Sequence, residues 1–105
     1  MDGAWLYIVR CADGSYYTGI TRRSVEERVG EHISGLIDGY TKSRRPVSLV
    51  YADHFSKIRD AIAAERQVKG WSRAKKEALI ARRYDLLPVL SRRGGLVGKG
   101  DTGSA

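Results

Sequence analysis

Two tyrosines lie at matching points of two neighbouring segments that are rich in aromatic and β-branched residues. Tyr7 stands in WLYIV, and Tyr17 follows ten residues later in SYYTGIT. A phenol has a reference pKa of about 10, so it needs a metal or a strong hydrogen bond to serve as a base at neutral pH. The pair is either two phenols directed at one reacting phosphate or two aromatic side chains that fill a core.

Arg28 and His32 add a cation and a titratable ring four residues apart. The segment SVEE at 24–27 has the form of a capping box, so a helix is expected to start there and to carry both residues on one face. Arginine matches phosphate oxygens with a two-pronged donor, and histidine titrates near neutral pH. The spacing indicates either a phosphate clamp beside a proton carrier or an exposed Arg and a partner on a solvated surface.

Glu65 stands in AIAAERQV, among small apolar residues on what should be the packed face of a helix. A carboxylate in such a place is costly unless it is paired or binds a metal. One interpretation is a salt bridge to one of the many arginines. The other is a single carboxylate ligand for Mg²⁺, which keeps several waters and commonly takes one or two carboxylates plus substrate phosphates.

The elements that must position these residues follow from periodicity and from turn and capping signals. The sequence predicts an α+β fold in the order β-β-α-β-α-α, with a small three-stranded antiparallel sheet packed with about three helices. Residues 1–88 are expected to form the domain, and the Gly-rich basic tail 89–105 is expected to be disordered. The predicted strands are 4–11, 15–20 and 47–52; the predicted helices are 25–34, 58–69 and one that Ser72 caps and that runs to about residue 83.

The hairpin register decides whether the two tyrosines can share a site, because side chains alternate across a strand. A two-residue turn at Asp13-Gly14 would pair Tyr7 with Ile20 and would place Tyr17 on the opposite face. A loop of three or five residues, or a bulge, would place both phenols on one face. A shared site therefore predicts an odd-length loop or a bulge.

Composition narrows the class of protein. Nineteen Lys and Arg against 12 Asp and Glu give a net charge of +7, which attracts polyanions such as nucleic acid. Cys11 is the single cysteine, so an internal disulfide is excluded, and no Cys/His group has zinc spacing. No apolar run approaches the roughly 18 residues of a membrane span, and the first residues lack a signal pattern. A cytoplasmic protein without a membrane partner is expected.

The ordered set of LYI at 6–8, YTG at 17–19, Arg28 with His32, and then Glu65 resembles the GIY-YIG nuclease superfamily. The resemblance is greatest to small stand-alone bacterial members, which are similar to the nuclease module of excision-repair and structure-selective junction nucleases. It covers roughly residues 4–82, according to the order and spacing of short motifs. It implies a metal-dependent endonuclease that hydrolyses DNA, in repair or recombination, with RNA not excluded.

The resemblance also implies a role for each matching residue. Tyr7 would be the general base or a relay, and Tyr17 would orient the scissile phosphate or the water. Gly19 would let the backbone pass close to the site. Arg28 would stabilise the negative charge of the transition state. His32 would help to take the proton, and which of Tyr7 and His32 finally holds it stays open.

Glu65 would hold one divalent ion, Mg²⁺ or Mn²⁺. The chain departs from the family pattern at Leu6, where the motif name has glycine, and at Ile20, where the repair enzyme has lysine. The asparagine of larger members is also missing, and its neighbourhood offers Lys75, Lys76 and Glu77 instead.

Two other functions remain open at this point. One is a binding module with the same fold that cleaves nothing: Tyr40, Lys42, Arg44 and Arg45 would contact phosphates, and aromatic residues would stack on bases. The other is an interaction domain whose tyrosines are core and whose charges are solvated. For the nuclease, specificity is expected to come from DNA shape or from a protein partner. The candidate nucleic-acid contacts are Gly19, Tyr40, Lys42, Arg44, Arg45, Lys69 and Arg73.

Overall fold

The computed structural model describes residues 3–87 and confirms the predicted order of elements. A three-stranded antiparallel sheet has the strand order β2-β1-β3, with β1 in the centre. The strands are β1 (Ala4–Arg10), β2 (Tyr16–Thr21) and β3 (Ser48–Phe55); the helices are α1 (Val25–Ser34), α2 (Ile58–Lys69) and α3 (Arg73–Ile80). Short 3-10 turns occupy Lys42–Arg44 and Tyr84–Leu86.

The β1–β2 hairpin has an odd-length loop, as the shared-site hypothesis predicted. Cys11 donates its N–H to the Ser15 carbonyl at 2.8 Å, and three residues, Ala12, Asp13 and Gly14, lie between them. Gly14 has a φ of 86°, which suits the left-handed last position of such a loop. Tyr7 consequently pairs with Gly19 and Val9 with Tyr17, so both tyrosines lie on the same face of the sheet.

The face that carries the tyrosines packs against α1. A cluster of buried apolar side chains joins the strands, the helix and the connection before β3: Tyr7, Val9, Cys11, Val25, Val29 and Val47. Trp5, Tyr17 and Ala52 pack against its rim. Leu6 and Ile8 point to the other face and are also buried, and α2 contacts all three strands. The central strand is therefore buried on both faces.

Helix α1 begins and ends as its sequence predicts. The Ser24 hydroxyl accepts the Glu27 N–H at 3.1 Å, and Gly35 ends the helix with a φ of 79°. Ser72 caps α3 in the same way, through the Lys75 N–H. The predicted end of α3 near residue 83 is wrong, because Arg82 adopts a φ of 57°, which a right-handed helix cannot accommodate.

Strand β3 extends further than the predicted 47–52. It runs from Ser48 to Phe55, and Asp53 and His54 pair with Leu6 and Trp5 of β1. The strand accepts these polar residues because both side chains are exposed to solvent. His54, which lies beyond the end of the predicted strand, is therefore part of β3, and its ring lies 5.0 Å from that of Trp5.

Contacts divide the chain into two compact units, Met1–Lys69 and Gly70–Ala105. The first contains the sheet, α1 and α2. In the second, α3 is followed by the Tyr84–Leu86 turn, and the Arg83 N–H donates to the Ala78 carbonyl at 2.7 Å. The predicted boundary at residue 88 and the tail 89–105 lie outside the described residues and stay predictions. No helix within residues 3–87 is long and apolar enough to cross a membrane.

The absence of a side chain at Gly19 allows the phenol of Tyr7 to lie across β2. A Cβ built on Gly19 would come within 2.5 Å of the Tyr7 hydroxyl oxygen and 2.7 Å of the ring carbon that bears it. Real Cβ atoms do not approach so closely, so a side chain here would displace the phenol. Tyr7 is fully buried and cannot move without disturbing the core.

Gly19→Ala is therefore expected to destabilise the protein by about 1–3 kcal/mol, the usual cost of overpacking a core. Gly30→Ala is the matched control, since Gly30 lies in α1 and a Cβ there would have no neighbour within 4 Å. The control should stabilise the protein by about 0.5–1 kcal/mol through helix propensity. Urea unfolding of the three proteins measures both effects. Equal stability of Gly19→Ala and the parent would contradict the close packing of Tyr7 on Gly19.

Candidate active site

A buried chain of hydrogen bonds starts at the Tyr7 hydroxyl. The Tyr7 oxygen lies 2.9 Å from His32 Nε2, and His32 Nδ1 lies 2.8 Å from the Thr41 hydroxyl oxygen. The three residues are between 0% and 2% exposed. The chain joins the centre of the sheet, the last turn of α1 and the connection before β3. Both nitrogens of the imidazole are thereby paired with hydroxyl groups in a dry environment.

Arg28 lies one helical turn before His32 and reaches the same phenol. Its guanidinium is within hydrogen-bonding reach of the Tyr7 hydroxyl, and Nη1 lies 3.2 Å from Glu31 Oε1. Glu31 also accepts from Arg23 at 2.7 Å. The side chain of Arg28 keeps 31% of its surface exposed. The cation is thus oriented by the carboxylate on one side and the phenol on the other, and part of it faces solvent.

Tyr17 extends the cluster into a stack of rings and cations. Its ring lies 5.3 Å from that of His32 and 6.2 Å from that of Tyr40, to which it is nearly parallel. The Arg44 guanidinium lies 3.8 Å from the centre of the Tyr40 ring, and Lys69 Nζ lies 5.7 Å from the centre of the Tyr17 ring. Such cation–π contacts hold the positive charges beside the rings.

Glu65 brings a carboxylate to this cluster from α2. Its side chain is 19% exposed, and Oε2 forms an ion pair with Lys69 Nζ at 3.2 Å. Burial is the main cause that raises the pKa of Tyr7, and the charge of Glu65 makes the smallest contribution to this rise. Glu65 is therefore paired, with a lysine one turn along the same helix and not with an arginine as the salt-bridge interpretation expected.

Burial keeps the two groups of the Tyr7–His32 pair uncharged. It is the main cause that raises the pKa of Tyr7 above 10.0, while the Arg28 guanidinium opposes this rise. Burial is also the main cause that lowers the pKa of His32 below 6.5, and the charge of Arg28 lowers it further. At neutral pH the imidazole is thus a neutral acceptor, and the phenol retains its proton.

The donor set near Glu65 fits a hydrated divalent ion and does not fit a protein cage. No group of three or more His, Cys, Asp or Glu that could hold a metal occurs within residues 3–87. Mg²⁺ is commonly held by one or two carboxylates, with waters and substrate phosphates as its remaining ligands. Glu65 offers one partly exposed carboxylate, which meets this requirement.

The structure gathers Tyr7, Tyr17, Arg28, His32 and Glu65, with Gly19 beneath the phenol and Tyr40, Arg44 and Lys69 around the rim. Each of the other predicted nucleic-acid contacts, Lys42, Arg45 and Arg73, has a local partner. Lys42 pairs with Asp38 at 3.0 Å, and Arg45 Nε donates to the Lys42 carbonyl at 3.0 Å. Arg73 belongs to the second unit, where it pairs with Glu77 at 3.1 Å. Lys75, near the position of the missing asparagine, is buried against Trp71.

Sequence reasoning missed Thr41 and Glu31. Thr41 stands between an exposed tyrosine and a run of basic residues, so its neighbours indicated a solvated loop. The second nitrogen of His32 was the available signal, because a buried imidazole needs partners on both sides. Glu31 was visible at three residues from Arg28, a spacing that favours an ion pair on a helix.

The hairpin that presents two phenols to the Arg–His face of the next helix, in this order of elements, is the arrangement of a nuclease-type catalytic domain. The chain belongs to the GIY-YIG family, because the model of the GIY-YIG catalytic domain matches residues 3–78. Membership implies a nuclease-type function with nucleic acid as the class of substrate.

Small bacterial proteins are similar to this chain over most of their own length. The UPF0213 protein SSP2268 of Staphylococcus saprophyticus is 44% identical over 81 residues, which are 77% of this chain and 98% of that protein. The solution NMR structure of the UPF0213 protein BH0048 from Bacillus halodurans has 40% identity and a TM-score of 0.50, and the match covers 75% of this chain and 83% of that one. The protein EF2693 from E. faecalis has 32% identity and a TM-score of 0.55, with 80% and 92% covered.

The lowered pKa of His32 predicts a pH-dependent stability. Below pH 6.5 His32 becomes protonated in the unfolded chain but stays neutral in the native protein. The free energy of unfolding therefore falls as the pH falls. The loss starts near 6.5, has a slope of at most about 1.4 kcal/mol per pH unit, and ends below the native pKa. Urea unfolding between pH 7.5 and roughly pH 5 measures it. His32→Gln should have a shallower slope in this range; an unchanged slope would show that His32 is not the titrating group.

Proposed function

We propose that this protein is a nuclease that hydrolyses phosphodiester bonds of DNA with one divalent ion, Mg²⁺ or Mn²⁺. The observation that carries the proposal is the 2.9 Å contact of the Tyr7 hydroxyl with the His32 imidazole, close to the Arg28 guanidinium, which opposes the rise in the pKa of the phenol. A phenol between a proton acceptor and a cation can pass on a proton and remain next to an anionic phosphate. A core tyrosine needs only one hydrogen-bond partner, so packing alone does not require this arrangement.

In the proposed reaction, water attacks the phosphorus in line with the departing 3′-oxygen. The Tyr7 oxygen accepts a proton from the water, and the Tyr7 proton passes along the 2.9 Å hydrogen bond to His32 Nε2. The water oxygen forms the new bond to phosphorus as the bond to the 3′-oxygen breaks, and solvent protonates the leaving oxygen. No covalent enzyme intermediate is required.

Arg28 and Tyr17 orient the phosphate in this mechanism. The exposed part of the Arg28 guanidinium donates to the non-bridging phosphate oxygens. Its contact with Glu31 fixes the plane of the guanidinium. The Tyr17 hydroxyl, on the same face as Tyr7, orients the water or the phosphate. Because Arg28 is always charged, it stabilises the extra negative charge that develops on the phosphate.

Glu65 is the residue that would hold the divalent ion. When bound, the ion supplies Lewis-acid stabilisation of the phosphate oxygens. In the structure Lys69 neutralises this carboxylate and also contacts the Tyr17 ring. The surroundings of Glu65 therefore already favour a positive charge, here that of Lys69. The proposed divalent ion would supply a positive charge beside the substrate at the same carboxylate.

The surroundings of the site favour DNA shape as the determinant of specificity. Tyr40 is 41% exposed, and its ring already contacts the Arg44 guanidinium, 3.8 Å from the ring centre, and the ring of Tyr17. The rim thus offers cations, which suit the sugar-phosphate backbone better than a base plane. We propose that the substrates are flaps, nicks and branches that arise in repair or recombination. We place the reaction in the cytoplasm, with a protein partner that adds specificity.

Cleavage of end-labelled linear, nicked, flapped and single-stranded DNA tests the proposal. The parent protein should cut at least one substrate with Mg²⁺ or Mn²⁺ and none with EDTA. Glu65→Gln should lower the rate by at least about 100-fold, since it removes the carboxylate that holds the ion. Asp60→Asn is the matched control, because Asp60 is an exposed carboxylate in the first turn of the same helix, and it should keep the parent's rate.

The result also separates the nuclease from a non-catalytic binding module. Binding of the same DNA without cleavage by the parent, in every metal, would favour the module, in which the basic residues contact phosphates. Equal cleavage by Glu65→Gln and the parent would leave the nuclease standing and would remove Glu65 from the metal site. If the parent neither binds nor cleaves the DNA, an interaction domain is favoured.

A further inference from the structure

Thr41 has a place in the site for which the family resemblance supplies no role. Its hydroxyl is 2% exposed and lies 2.8 Å from Nδ1 of His32, on the side of the ring away from Tyr7. Buried hydroxyl groups of this kind commonly orient a histidine and fix the nitrogen that carries its proton.

The fold holds Thr41 firmly with respect to the hairpin that carries the tyrosines. The Thr41 carbonyl accepts the Arg44 N–H at 3.0 Å, and the Arg44 carbonyl accepts the Ala12 N–H at 2.9 Å. The Arg44 guanidinium also forms an ion pair with Asp13 at 3.2 Å. The connection before β3 is thus attached to the tip of the hairpin, and the hydroxyl is fixed beside the imidazole.

The relative acidities of the two hydroxyl groups determine the direction of the hydrogen bonds. A neutral imidazole has one N–H donor and one lone-pair acceptor. A phenol is a far stronger acid than an aliphatic alcohol, so Tyr7 is the better donor and Thr41 the better acceptor. Arg28 cannot take the Tyr7 proton, because a guanidinium only donates. The Tyr7 hydroxyl therefore donates to Nε2, and Nδ1–H donates to Thr41.

We propose that Thr41 is a positioning residue, which holds the proton of His32 on Nδ1 and so directs the Nε2 lone pair at Tyr7. This inference rests on the proposed nuclease, in which Nε2 receives the Tyr7 proton. In that step the water proton moves to the Tyr7 oxygen, the Tyr7 proton moves to Nε2, and the Nδ1 proton stays in its bond to Thr41. Burial and the charge of Arg28 lower the pKa of His32, and the Glu31 carboxylate partly offsets them; this carboxylate and the Thr41 oxygen stabilise the imidazolium that forms.

Several charged or titratable groups face the imidazole from the elements packed around it. Tyr7 and Tyr17 come from the hairpin, and Arg28 and Glu31 from α1. Removal of the uncharged Thr41 hydroxyl changes none of these charges. A variant at this position therefore reports on the tautomer of His32, with the net charge of the site held constant.

NMR of ¹⁵N-labelled protein in EDTA tests the tautomer without any need for activity. The parent should show a protonated Nδ1 and an unprotonated Nε2 in His32 at pH 8. Thr41→Val removes the acceptor at nearly constant volume, and the Nε2–H form should become the major one. Thr41→Ser should restore the parent's pattern. A parent in the Nε2–H form, or an unchanged pattern in Thr41→Val, would overturn the proposal.

Thr18→Val is the matched control for the loss of a buried hydroxyl. Thr18 is also 2% exposed, and its oxygen has no hydrogen-bond partner among the described residues. The control should keep the His32 tautomer and the cleavage rate. A shift in the control as large as that in Thr41→Val would assign the effect to packing and would overturn the specific role of Thr41.

The rate gives an independent arm of the test. In Thr41→Val, kcat should fall by about 10- to 100-fold with KM nearly unchanged, as is usual when an orienting partner is lost, and Thr41→Ser should recover most of it. Unchanged kcat despite a changed tautomer would show that the tautomer does not matter for the reaction. If the parent cleaves no DNA, the nuclease proposal fails, while the NMR pattern alone upholds or overturns the effect of Thr41 on His32.

Discussion

The contact between the Tyr7 phenol and the bare backbone of Gly19 is the constraint on which the candidate site depends. The phenol crosses β2 only because Gly19 lacks a side chain, and this direction brings its hydroxyl to α1. The three-residue hairpin loop fixes the pairing of Tyr7 with Gly19, and the same pairing places Tyr17 on that face. One register therefore determines the close packing and the convergence of the two phenols.

The site combines a dry, neutral half with a charged half that solvent can reach. Tyr7, His32 and Thr41 are almost fully buried, and burial keeps the phenol and the imidazole uncharged. Arg28 and Glu65 remain partly exposed and carry opposite charges next to the same phenol. Such a division suits hydrolysis of a phosphodiester, because proton transfer is aided by shifted pKa values and phosphate binding by accessible charge.

Local signals predicted the parts of the fold that depend on short-range chemistry, and tertiary contacts decided the rest. The cap at Ser24 and the stop at Gly35 define α1 from sequence alone. The odd length of the hairpin loop was predicted only by the hypothesis that both tyrosines share one face of the sheet, and the observed register has them on one face. The polar end of β3 escaped prediction because its pairing with the central strand outweighs the propensity of Asp53 and His54. Thr41 escaped because its partner lies nine residues away across a turn, and no periodic pattern connects the two.

The burial of Tyr7 at the centre of the core has a consequence for evolution. A fully buried residue contributes to folding whatever else it does, so a scan of variants for cellular abundance would mark Tyr7, and with it Gly19 and His32. Arg28 and Glu65, being partly exposed, would be marked only by a scan for function. A relative of the proposed nuclease that lost its activity would therefore lose the charged residues first and would keep the tyrosine for its part in the core.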